Sequence, residues 1–228
     1  MLNKKAMNEI FETEDGSKSL KSLDFGVSYH SKHGAVQETK HVFIDAGLDF
    51  RNQSQSHIDL LDIGFGTGLN ALMALQWAQL NQVKVNYVGI EAYPIHLDTA
   101  LLMNYPQALD ESDKLDSVFR SMHEVESGVI LELDPCFSFE KRISKFETLE
   151  DKKAYDVIFF DAFAPNSQPD LWELDLLQKM YDALRNSGVL TTYCAKGQVK
   201  RNLKALGFTI EALPGPPGKR EMTRAIKS

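Results

Sequence analysis

Gly64, Gly66 and Gly68 alternate with Phe65 and Thr67 directly behind Asp62, and Leu69 and Asn70 follow. Glycine is needed at such a bend because a side chain would clash at positive φ or keep the backbone from closing on a ligand. The amides opening the next helix would then point at that ligand. Two carboxylates end other apolar runs. Glu91 stands about 20 or more residues beyond the glycines, where α/β cofactor folds place an acid to accept hydrogen bonds from ribose hydroxyls. Asp161 closes the run Val157-Ile158-Phe159-Phe160 and precedes Ala162-Phe163-Ala164-Pro165, which puts it at the sheet edge where ligands bind. This spacing suits a ligand seated on the bend, with acids at two neighbouring strand tips beside it. A dinucleotide loop wants G-x-G-x-x-G, but Leu69 holds the third position, which counts against a nicotinamide or flavin. The plainer alternatives are a strand-to-helix turn with surplus glycine, a solvated Glu91 and an Asp161 that only caps its loop.

The elements that must position these residues follow from periodicity. Residues 58–63 are a short apolar run suited to a buried parallel strand, and Leu69, Leu72, Met73 and Leu80 then take helical spacing. Further strands are expected at 85–91, 155–160, 188–193, 208–213 and 222–226, the last two joined by the loop 214–218. Helices are expected at 110–126, at 198–206, and from Leu174 behind the near capping box Asp170 to Glu173. Pro94 suits the first turn of a helix that Pro106 ends. Residues 129–133 and 137–139, parted by Asp134-Pro135, read as a hairpin feeding the third sheet strand. Residues 1–23 have no sustained period and read as a frayed lead-in. A small N-terminal β element is expected over residues 24–50, with strands at 25–29 and 41–44. One domain, 24–228, is expected.

Composition sets bounds on this reading. A chain of 228 residues can bury roughly 70 % or more of its unfolded surface, enough for one α/β domain. It is 43 % hydrophobic and 25 % charged, as ordinary globular chains are. No apolar run of membrane length or signal-peptide core is present, so a cytoplasmic location is expected. Cys136 and Cys194 lie far apart, and His30, His33 and His41 have no carboxylate or cysteine at ligand spacing, so neither a disulfide framework nor a metal is expected. The formal charge of −7 argues against a polyanion partner, yet residues 185–228 hold nine basic residues against Glu211 and Glu221. That asymmetry is compatible with a basic face and equally with an ordinary solvated surface.

The form D-x-G-x-G-x-G behind a strand resembles the first motif of class I S-adenosyl-L-methionine methyltransferases. Tyr29 and Ser31, Gln37-Glu38-Thr39, His41-Val42-Phe43-Ile44, the segment Gly64 to Asn70, Phe160-Asp161-Ala162-Phe163-Ala164-Pro165 with Asn166, Pro169-Asp170-Leu171-Trp172 and Gly218-Lys219-Arg220-Glu221-Met222 together resemble the methyltransferase half of the MnmC family, over roughly residues 24–227. The resemblance implies a Rossmann-like α/β fold, with a mostly parallel seven-stranded sheet and a terminal antiparallel strand. It implies S-adenosyl-L-methionine as cofactor and the anticodon loop of tRNA as partner. The implied reaction is methylation of the primary amine of 5-aminomethyluridine, or its 2-thio form, at the wobble position. Cofactor-binding residues would be Tyr29, Ser31, Gly64, Phe65, Gly66, Thr67, Gly68, Asn70, Glu91 and Asp161. Asp161 would be catalytic, Phe163 and Pro165 would wall the base pocket, and Lys219 and Arg220 would contact the RNA backbone.

Bifunctional members of that family carry a flavin-dependent oxidase domain. A chain of this length is expected to supply only the methylation step, with a separate enzyme providing the amine. Residues 143–146 offer no acid for the adenine amine, so adenine contacts stay unassigned. An alkyl amine with a pKa near about 10 must be neutral to attack, and a carboxylate beside it favours its protonated form. Asp161 is therefore expected mainly to orient the amine and stabilise the cationic product. Two other readings stay open. An aminopropyltransferase of the spermidine synthase type would need a diamine pocket with further acids, and a non-catalytic tRNA-binding module would need none of the loop glycines or acids.

Overall fold

The computed structural model describes residues 9–23, 26–52 and 55–228. The chain begins with a three-stranded antiparallel sheet, β1 (Glu9–Glu12), β2 (Lys18–Ser22) and β3 (Val27–Ser28). Residues 9–22, expected to be a frayed lead-in, are thus ordered by pairing: Ile10 faces Leu20, and Leu20 is fully buried in the main core. The turn at Thr13–Ser17 ties this sheet to the chain beyond β3, since Asp15 Oδ2 accepts the Gln37 N–H at 3.0 Å. Phe25, where a strand is expected to start, lies outside the described residues.

The second strand expected in the 24–50 element, at 41–44, is helix. Helix α1 (Ala35–Thr39) passes directly into a wider π-helical stretch, Lys40–Asp49. Val42, Phe43, Ile44, Ala46 and Leu48 are all buried, and a short apolar run buried on every side cannot be told from a strand by its period. Gly47 permits the close approach: a Cβ there would stand 3.0 Å from the Phe159 ring.

The main sheet comprises β4 (His57–Ile63), β5 (Lys84–Glu91), β6 (Ile130–Asp134), β7 (Phe137–Ile143), β8 (Tyr155–Phe160), β9 (Leu184–Thr192), β10 (Phe208–Pro214) and β11 (Glu221–Lys227). Their order is β10-β11-β9-β8-β4-β5-β7-β6. The five central strands, β9 to β7, are parallel, and β11, β10 and β6 run antiparallel to their neighbours. The expected sheet with its antiparallel terminal pair is therefore present, widened to eight strands because β6 of the expected hairpin joins it as an edge. All six residues of β8 are buried, as befits a strand covered on both faces.

Helices α2 (Leu69–Asn81), α3 (Leu97–Leu101), α4 (Tyr105–Ala108), α5 (Ser112–Glu124), α6 (Leu174–Ala183) and α7 (Gly197–Ala205) link the strands. In α2 the inward residue of the last turns is Trp77, whereas Leu80 is 85 % exposed. Pro106 opens α4 instead of ending a longer helix. Glu173 is the residue preceding α6 but makes no side-chain cap. The chain leaves β4 toward β5 on one side and meets β8 on the other, so the carboxyl ends of β4 and β8 flank the point where the winding reverses. Open α/β sheets bind ligands in that crevice.

Candidate active site

The crevice is built first from backbone. Gly64 N–H and Phe65 N–H both donate to the Ile90 carbonyl, at 3.0 and 3.1 Å, which folds the glycine bend across the tip of β5. Gly64 has φ +101°, and a Cβ on it would stand 2.8 Å from the Asp161 carbonyl oxygen; Gly66 has φ +52°, and its Cβ would stand 3.1 Å from the Tyr29 ring. Glu91, at the tip of β5 and 8 % exposed, accepts Gly66 N–H at 2.9 Å on Oε2 and Tyr93 N–H at 2.8 Å on Oε1. Burial raises its pKa, while these amides oppose the rise.

The resulting cavity is lined by Gly64 to Thr67, Glu91, Tyr29, Asp161 and Phe163, and also by Lys145, Phe146 and Glu147. S-adenosyl-L-methionine fits this lining. The bend is bare where a Cβ would intrude, and the Glu91 carboxylate, which takes three backbone amides on its roughly four lone-pair sites, keeps one for a ribose hydroxyl.

Asp161 follows β8, and its N–H donates to Ile63 O at 3.0 Å, stitching it to the tip of β4. Asn70, the second residue of α2, donates to Asp161 Oδ2 at 3.0 Å and lies 3.4 Å from Asp62 Oδ1. Thr39 Oγ1 donates to Asn70 Oδ1 at 3.1 Å, fixing which way the amide faces. Tyr87 OH donates to Asp62, and burial raises the Asp62 pKa to about 7. Asp161 is held well above the ordinary carboxylate range by burial first, then by the charges of Asp62 and Glu38. The residue nonetheless borders two cavities.

The second cavity lies on the other side of Asp161. It shares Tyr29, Asp161, Ala162 and Phe163 with the first, and adds His30, Ser31, Glu38, Tyr193 and Lys219. The Tyr29 and Phe163 rings meet edge to face between the two, with centroids 5.0 Å apart at 73°. Glu38 is buried; its Oε2 accepts Ser31 N–H at 2.8 Å and its Oε1 accepts Lys219 Nζ at 2.5 Å. The Lys219 ammonium sits 3.9 Å from the Tyr193 ring centre, and Tyr193 OH donates to the Ala162 carbonyl at 2.8 Å. Burial lowers the His30 pKa to about 4, so its ring is neutral at neutral pH. A third, more open depression continues outward past Pro165, Lys196 and Arg220.

Several expected residues stand elsewhere than their roles implied. Ser31 lines the second cavity, not the first. Asn70 is buried behind the two acids and does not line the first cavity. Gly68, at φ +84°, is required by packing: a Cβ would meet His123 Nε2 at 2.8 Å. Lys219 is no free surface cation, because it is paired with Glu38. The basic C-terminal stretch is largely used internally: Arg185 bridges Asp59 and Asp156, Arg224 pairs with Glu211, Lys200 with Glu221, and Lys227 donates to the Tyr181 and Leu184 carbonyls. His33 and His41 bind Glu14 and the Pro214 carbonyl, and no metal-holding group occurs among the described residues.

The sequence stretch 143–146 offers no acid, but the next acid along, Glu147, lines the first cavity. Sequence reasoning also misses Glu38 and Tyr193. Glu38 lies within a segment singled out without a role, and Tyr193 directly follows β9, whose carboxyl end faces the same crevice.

The comparisons with known proteins agree with this geometry. The model of a family described as S-adenosyl-L-methionine-dependent methyltransferase matches residues 111–228. A relative in Aromatoleum aromaticum, named tRNA 5-methylaminomethyl-2-thiouridine biosynthesis bifunctional protein MnmC, is 29 % identical over 225 residues, covering 93 % of this chain and 34 % of the relative. The protein of the same name in Methylobacillus flagellatus is 30 % identical over 226 residues, covering 88 % and 32 %. The chain thus spans about a third of the length of these relatives. The crystal structure of MnmC2 from Aquifex aeolicus superposes with a TM-score of 0.75 at 24 % identity, over 98 % of this chain and 71 % of that one, which establishes the fold. The chain belongs to the S-adenosyl-L-methionine-dependent methyltransferases.

Proposed function

We propose that this methyltransferase acts on the primary amine of 5-aminomethyluridine, or its 2-thio form, at the wobble position of tRNA, giving the 5-methylaminomethyl product. The observation that carries the reading is that Asp161 lines two cavities, one that also holds the glycine bend and one that also holds Glu38 and Lys219. The names of the MnmC relatives support the choice of acceptor. Gly64, Phe65, Gly66, Thr67 and Glu91 would hold the cofactor, with Lys145, Phe146 and Glu147 at its adenine end. The bound cofactor supplies an electrophilic methyl group on a sulfonium.

The chain's own residues do the rest. Asp161, ionised, accepts an N–H of the neutral amine and turns the nitrogen lone pair toward the cofactor cavity. Positioning two reactants in this way is worth up to about 7–11 kcal/mol in favourable cases. The methyl–sulfur bond would break as the N–C bond forms, leaving a neutral thioether and a cationic nitrogen, whose charge the carboxylate stabilises until the proton passes to water. Asn70 keeps Asp161 aimed. Tyr29 and Phe163 wall the passage and exclude water, and the Phe163 face suits an unstacked base. Pro165 and Arg220, in the outer depression, would meet the flanking nucleotides.

Incubation of the protein with S-adenosyl-L-methionine and tRNA bearing 5-aminomethyluridine, followed by mass spectrometry of the wobble nucleoside, should show a gain of one methyl group. No gain on that tRNA, together with turnover of decarboxylated cofactor on a diamine, would replace this reading with aminopropyl transfer.

A further inference from the structure

We infer that Lys219 reads the ring carbonyl beside the aminomethyl group of the acceptor, and that Glu38 is the residue that positions it. The inference rests on the acceptor proposed above. In 5-aminomethyluracil the C4 carbonyl is the immediate neighbour of the carbon bearing the aminomethyl group, so one edge of the base presents an N–H donor and a C=O acceptor side by side. The second cavity presents the complement, a carboxylate at Asp161 and an ammonium at Lys219, both on its lining.

An ammonium has three donors. Glu38 takes one, the Tyr193 ring lies beneath the nitrogen, and Lys219 still borders the cavity, so it has a donor for a ligand oxygen. Glu38 is otherwise committed, with its other oxygen on the Ser31 amide. It therefore holds the lysine in place.

A phosphate of the RNA backbone is the competing partner for a lysine, and the geometry disfavours it here. The Glu38 side chain is 7 % exposed. Drawing Lys219 onto a phosphate would leave a buried carboxylate unpaired, a strongly unfavourable state. A neutral carbonyl asks for no such exchange. Arg220, the next residue, is exposed and faces the outer depression, where a phosphate could come.

The test compares two anticodon stem-loop RNAs, one carrying 5-aminomethyluridine and one carrying the same nucleoside with the C4 carbonyl replaced by C–H. Wild-type kcat/KM should fall about 10- to 100-fold on the second, the size of a hydrogen bond to a charged group. Lys219→Met should lose a similar factor on the first RNA and nothing further on the second, with S-adenosyl-L-methionine affinity unchanged. Equal wild-type rates on the two RNAs would overturn the inference whether or not the variant folds. So would a Lys219→Met defect of the same factor on both RNAs, or one accompanied by a shallower salt dependence, which marks a phosphate contact. A wild type inactive on both RNAs would instead overturn the choice of acceptor.

Discussion

The two cavities that meet at Asp161 are built by different means. The cofactor side draws side chains from several segments too, but its floor is made of backbone: the amides of Gly64 and Phe65 on the Ile90 carbonyl, the Gly66 amide on Glu91, and positive φ angles that keep side chains out. The opposite side is made of side chains from distant segments: Tyr29 and Ser31 beside β3, Glu38 in α1, Tyr193 after β9 and Lys219 between β10 and β11. A backbone-built site has to be encoded within one short stretch, because successive residues form it. A site assembled from side chains leaves its parts wherever the fold collects them.

That contrast can be broken or sharpened by experiment. The largest effect is expected for Asp161→Asn, which should lower turnover about 10²- to 10⁴-fold while S-adenosyl-L-methionine affinity by calorimetry stays near wild type. Lost cofactor affinity would instead place this acid on the backbone-built side. Gly64→Ala should act in the reverse sense. Its Cβ would press on the Asp161 carbonyl at positive φ, so cofactor binding should collapse and stability fall by about 1–3 kcal/mol, read by calorimetry and denaturant melts.

The pH dependence follows from the raised acids. On the proposed reaction, ionised Asp161 is the stronger acceptor and alone can balance the charge of the methylated nitrogen, and its pKa lies well above the ordinary carboxylate value, so activity should fall with acidification well above pH 4. A rate profile flat down to pH 5 would show that Asp161 titrates normally. Asp62 gives a smaller effect, on stability. Its folded pKa of about 7 exceeds the ordinary 3.8, so the folded state binds the extra proton, and stability should decline as pH rises between those values by up to about 1.4 kcal/mol per unit. Asp62→Asn should flatten that decline in melts taken across the window, and an unchanged slope would assign it to other groups. Smallest of all, Arg220→Ala should weaken tRNA binding several-fold and reduce the slope of log affinity against log salt by about 0.7–0.9. An identical slope would remove Arg220 from the RNA contact.

Much of the fold can be read in the sequence because its signals are local. The run at β8, the bend after β4 and the acid at the end of β5 each announce themselves within about ten residues. The stretch at 41–44 does not, since Val42, Phe43 and Ile44 are buried all round and lose any period that separates helix from strand. The sheet at β1 to β3 also escapes notice, because a strand of four or five mixed residues is ordered by its partners more than by its own pattern. In the site, Gly64, Gly66, Glu91 and Asp161 stand where their motifs put them. Lys219 reads as a surface cation because its partner Glu38 is 181 positions away, a distance no local pattern spans. Asn70 groups with the glycines it follows, yet the helix it opens turns it toward the two acids.

The span of that ion pair bears on how the molecule comes into being. Synthesis runs from the amino end, and every residue lining the cofactor cavity has been joined once Leu171 is added. The acceptor cavity still lacks Tyr193 and Lys219 at that point. A growing chain thus completes the inventory for its methyl donor some fifty residues before it possesses the last wall against which a recipient could rest, a gap about the size of a ribosomal delay of several seconds.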